Sequence, residues 1–62
     1  PFKKGQKVCI HYTYENYSYL KTPCIGIVKE DEEYNEFRVT LETGEIIECN
    51  KGHCTLVSDQ EF

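Results

Sequence analysis

A chain of 62 residues has room for one domain and a small core, burying only roughly 60% of the surface its unfolded state exposes, which leaves little space for a large catalytic cleft. At 39% hydrophobic and 29% charged residues it has the composition of a globular protein, and no apolar run approaches the roughly 18 residues that cross a bilayer as a helix. A formal net charge of −4 counts against nucleic acid as the partner, because affinity for phosphate comes from clustered lysines and arginines.

The opening "PFKKGQKVC" gathers Lys3, Lys4 and Lys7 but has no apolar stretch after its charges, so it does not read as a secretory signal, and the expectation is a complete small cytoplasmic protein. After a turn at Gly5, "QKVCIHYTY" alternates Val8, Ile10, Tyr12 and Tyr14 against Cys9, His11 and Thr13, the period-two pattern of a half-buried strand. Four of the five tyrosines crowd the window "IHYTYENYSYLK". A core can use one or two phenols if each hydroxyl finds a partner, whereas rigid exposed phenols are low-entropy contacts for another molecule. A two-residue turn at Glu15 and Asn16 would pair Tyr14 with Tyr17 and Tyr12 with Tyr19, placing all four rings on one side of a ribbon. The bland reading is that Tyr12 continues the core face of Val8 and Ile10.

"TPCIGIVKE" reads as a second strand, with Pro23 at its start, where proline is tolerated. "EDEE" at 30–33 then makes an acidic tip, either a plain solvated turn or a surface that steers the domain toward a basic partner. "NEFRVTLE" alternates Phe37, Val39 and Leu41 inward against Arg38, Thr40 and Glu42 outward, and a turn at Thr43 and Gly44 leads into "EIIEC" to complete a hairpin. Whether Ile46 or Ile47 faces the core stays open, because a bulge at Gly44 shifts the register by one residue and swaps the faces. "NKGH" reads as one helical turn or a loop before a last short strand, "CTLV".

Cysteines at 9, 24, 49 and 54 lie in strand-like runs, where cysteine is commonly a small buried hydrophobe with its thiol kept reduced in the cytosol. The alternatives are two disulfides, with three pairings, or a metal site joining Cys9 and His11 to Cys49 and Cys54, or using His53, although no C-x-x-C knuckle is present. Cys–His nucleophilic pairs are poor candidates, since His53 and Cys54 as strand neighbours point to opposite faces and Cys9 with His11 lacks a pocket. No catalytic residue, cofactor or metal is assigned.

Five short strands in so few residues cover their apolar faces by curling into a barrel, giving an all-β fold. "KKGQKV", a long first loop, "IGIV", "FRVTLETGE" and a short turn before "TLV" together resemble the SH3-like small barrels, including Tudor-like and KOW-like domains, over about residues 4–57. That resemblance implies a single five-stranded SH3-like barrel whose first loop presents the tyrosines. Signalling members of this group use aromatics from that loop to bind proline-rich peptides, but the chain has no tryptophan to separate the two pockets, and Asn50, Lys51, Gly52 and His53 stand where a Pro and Tyr pair would.

The expected role is a non-catalytic binding module, or a small modulator or inhibitor of the kind viruses direct at host machinery. Its protein partner would be engaged by Tyr12, Tyr14, Tyr17 and Tyr19, with Glu30, Asp31, Glu32 and Glu33 as electrostatic helpers. The second reading is a nucleic-acid-binding domain using Lys3, Lys4, Lys7 and the same rings as a stacking platform. A third is a thiolate metal module. Nothing in the sequence points to a membrane partner.

Overall fold

In the computed structural model, residues 1–57 are described. Five strands form one antiparallel sheet: β1 (Lys7–Ile10), β2 (Cys24–Val28), β3 (Glu36–Leu41), β4 (Ile46–Asn50) and β5 (Cys54–Leu56). Their order across the sheet is β4-β3-β2-β1-β5. A three-stranded meander is thereby extended on its β2 side by β1, which carries the last strand on its other edge. The sheet curls into a half-barrel around one core, the all-β architecture that the SH3-like resemblance implies.

Alternation along each strand decides what enters that core. Phe37, Val39 and Leu41 point inward from β3, Val8 and Ile10 from β1, and Ile47 and Cys49 from β4, each at most 7% exposed. Burying a Val, Ile or Phe side chain contributes roughly 1.5–3 kcal/mol, so these strands are held mainly by their inward halves. Phe2 closes one end, its ring 4.8 Å from that of Phe37.

The Ile46 and Ile47 question resolves in favour of Ile47, which is buried while Ile46 is exposed. Gly44 takes φ +95°, its amide bonds back to the Leu41 carbonyl, and the Leu41 amide bonds to the Glu45 carbonyl. This is a three-residue hairpin loop with glycine in the left-handed position, which sets Val39 opposite Ile47 with both facing inward. Gly26, in the middle of β2, is needed for a different reason. A methyl group there would lie 2.3 Å from Val39 Cγ1 and 2.9 Å from the Thr40 carbonyl oxygen, so only glycine lets β3 pass this close.

The turn before β5 is a short 3-10 helix, η2 (Lys51–His53), capped by Asn50, whose side chain accepts from the Gly52 amide at 2.8 Å. All four cysteines are free thiols: Cys49 and Cys54 are buried, and Cys9 and Cys24 half-buried. Among the described residues no three or more His, Cys, Asp or Glu side chains are grouped to hold a metal ion.

Candidate functional site

The first loop departs from the expected ribbon. β1 stops at Ile10, and residues 15–17 form a second 3-10 helix, η1 (Glu15–Tyr17). Successive i→i+3 bonds run from the Tyr17 amide to the Tyr14 carbonyl at 2.9 Å, Ser18 to Glu15 at 3.0 Å and Leu20 to Tyr17 at 3.0 Å. Tyr14 therefore does not pair with Tyr17 across a two-residue turn, nor Tyr12 with Tyr19. Period-two spacing of aromatics suits a strand, but three-residue turns satisfy the same backbone locally and rotate each ring to a different bearing.

What the loop does instead is dock on the β3–β4 hairpin through its phenols. Tyr14 donates to Glu36 Oε2 at 2.7 Å, Tyr19 donates to the Glu45 carboxylate, and the Tyr17 hydroxyl accepts from the Glu48 amide at 3.3 Å. Tyr17 and Leu20 also pack against the core. Accepting carboxylates hold the phenols protonated, so the Tyr14 and Tyr19 hydroxyls sit above the ordinary phenol range, for Tyr14 chiefly through Glu36 and for Tyr19 chiefly through Glu45.

With hydroxyls tied down, the rings are presented in fixed positions. Tyr12 is 68% and Tyr19 65% exposed. The rings of Tyr12 and Tyr14 meet His53 of η2 edge-on, at centroid distances of 5.8 and 5.9 Å. These three rings make an aromatic surface between the first loop and η2. Within it, His53 Nδ1 is buried and has no hydrogen-bond partner among the described residues.

The acidic tip is largely committed inside the molecule. Glu30 takes the Arg38 guanidinium at 3.0 Å (Nε) and 2.7 Å (Nη2), which pulls its carboxyl below the ordinary range. Asp31 accepts from the Lys4 amide at 2.9 Å and has Lys3 Nζ at 3.9 Å, while Glu32 accepts from the Phe2 amide at 3.0 Å. Three of the four carboxylates thus fasten the N-terminal segment or Arg38. Glu33 pairs through its backbone with Glu36 in a tight turn whose central residues, Tyr34 and Asn35, have φ +55° and +70°.

The chain matches no protein-family model, no curated protein and no solved structure. Its site is therefore argued from geometry. Of the eight residues expected to touch a partner, Tyr12 and Tyr14 converge, with His53, on one surface. Tyr19 stands along the hairpin near Glu45, Tyr17 is partly inside, and the tip residues Glu30–Glu33 lie on a different loop. His53 and Tyr34 carried no periodic signal, although His53 occupies the turn before the last strand. Of the basic trio of the second reading, Lys3 is turned to Asp31.

Proposed function

We propose that the chain is a non-catalytic binding module that engages a protein partner through the aromatic surface of its first loop and η2. The observation that carries this reading is the combination of strong exposure and fixed orientation: Tyr12 stays 68% exposed while packed edge-on to His53, on a loop fastened by three phenol hydrogen bonds. Rigid tyrosines bury much area at small entropic cost, as expected of the anchors of an interface. The net charge of −4 favours protein over nucleic acid as the target.

The test is affinity capture by the tagged chain followed by titration of the captured protein against variants. Tyr12→Ala is expected to weaken binding by at least about tenfold, roughly 1.4 kcal/mol, with an unchanged thermal midpoint, and Tyr19→Ala, which also releases the bond to Glu45, to weaken it with a lowered midpoint. Undiminished capture by both variants, or salt-sensitive binding of a random oligonucleotide in place of any protein, would refute the reading.

A further inference from the structure

Beside the first loop, the molecule carries two features that its core does not use. The first is Tyr34. A two-residue turn with both φ positive favours Asn-Gly, yet here a bulky aromatic takes the first left-handed position and stands 90% exposed. The ring adds nothing to the core, and asparagine would suit this backbone better. The second is a pair of acids on the outer face of the β3–β4 hairpin. Glu48 lies opposite Arg38, and Glu36 is its diagonal neighbour. The Arg38 fork is closed on Glu30, and the ion pairs among the described residues are Lys3–Asp31 and Arg38–Glu30, so Glu36 and Glu48 have no ion pair of their own and share only the nearby charge of Arg38. Repulsion from Glu36 lifts the Glu48 carboxyl above its ordinary range.

These features belong to one end of the barrel. The Tyr14 phenol reaches Glu36 at 2.7 Å, and the Tyr34–Asn35 turn is joined to η2 by the Lys51 amide donating to the Asn35 carbonyl at 2.8 Å. We infer that the partner of the aromatic surface is a basic segment, which sets an arginine side chain on Glu36 and Glu48 and its neighbouring backbone against Tyr14 and Tyr34. This rests on the partner-binding reading above and gives the partner its chemistry. Arginine suits the seat better than lysine: its planar fork donates to two carboxylates at once and stacks on an aromatic face, whereas an ammonium is a hydrated point charge.

The probe is a blocked Gly-Arg-Gly-Arg-Gly peptide, with its citrulline counterpart as a neutral isostere, titrated into labelled protein while backbone amide shifts are followed. Saturable shifts centred on Tyr34, Glu36, Glu48 and His53 are expected, with the citrulline peptide at least about tenfold weaker. Tyr34→Ser and the double variant Glu36→Gln with Glu48→Gln should each weaken the arginine peptide at least about fivefold; glutamine still accepts from the Tyr14 phenol, so the loop stays docked. Equal affinity for the citrulline peptide, shifts centred on Glu30–Glu33, or indifference to both variants would overturn the inference. If the captured partner is lost with Tyr12→Ala but kept by Tyr34→Ser and the double glutamine variant, the binding-module reading stands and the basic-segment inference falls.

Discussion

Gly26→Ala offers a quantitative test of how closely the sheet is packed. The added methyl would meet Val39 Cγ1 at 2.3 Å, the Thr40 carbonyl oxygen at 2.9 Å and Leu41 Cδ2 at 3.3 Å. Val39 is fully buried and β-branched, so its methyl has no open space to rotate into, and the Thr40 oxygen moves only if β3 separates from β2. Overpacking of this kind costs about 1–3 kcal/mol, and an obstructing backbone atom argues for the upper half of that range. Against it stands a gain of about 0.4–1 kcal/mol from the smaller unfolded-state entropy of alanine. The net loss is about 1–2 kcal/mol out of the roughly 3–9 kcal/mol expected for 62 residues. With an unfolding entropy near 2.1 cal/mol/K per residue, 62 residues give about 0.13 kcal/mol/K, so the melting midpoint should fall by about 8–15 °C. Reversible thermal melts by far-ultraviolet circular dichroism measure this directly. Adding Val39→Ala removes one of the two short contacts, and the double variant should lose less stability than the sum of the single ones by at least about 0.5 kcal/mol. A Gly26→Ala midpoint within about 2 °C of the parent, or strictly additive losses, would show that β2 and β3 are not in such close approach.

The phenols and thiols give two further tests. Tyr14 and Tyr19 have their phenols raised above the ordinary value of 10.0, so the stability they contribute is complete below that pH and is lost as pH rises through their folded-state values. Absorbance titration at alkaline pH should show late-ionising amplitude that shrinks in Tyr14→Phe and Tyr19→Phe; an unchanged curve in both variants would contradict the phenol–carboxylate bonds. The hydrogen bond to Cys54 and burial push the Cys49 thiol far above its ordinary range. A thiol reagent should therefore modify Cys9 and Cys24 in the native protein well before Cys49, and also before Cys54, whose thiol the same bond lowers but whose burial shields it, with all four reacting in denaturant, whereas equal native rates would be incompatible with the buried pair.

The sheet was legible wherever one face meets the core. Phe37, Val39 and Leu41 announce β3 because two-residue alternation and burial coincide there, and the turn at Gly44 needs a residue tolerant of positive φ. The same rule overran in β1: Tyr12 and Tyr14 keep the spacing of Val8 and Ile10, but only the aliphatic pair is buried, and beyond Ile10 the chain turns by local 3-10 bonds that leave no periodic trace. The acidic tip misled in another way. Composition shows four carboxylates in a row but not that Asp31 and Glu32 reach amides 27 and 30 residues away, at Lys4 and Phe2. Tyr34 escaped notice because a single exposed ring makes no pattern; its abnormal backbone angle is visible only in three dimensions.

The Tyr17 hydroxyl over the Glu48 amide also bears on how the protein behaves at high concentration. β4 is an outer strand of the sheet, and Glu48 lies at its centre with its amide directed away from β3. An incoming strand from another copy would have to dislodge the phenol and part of the loop before it could pair there. The loop that presents the rings thus doubles as a guard against fibre-like stacking, and Tyr17→Ala should pay in solubility before it loses recognition.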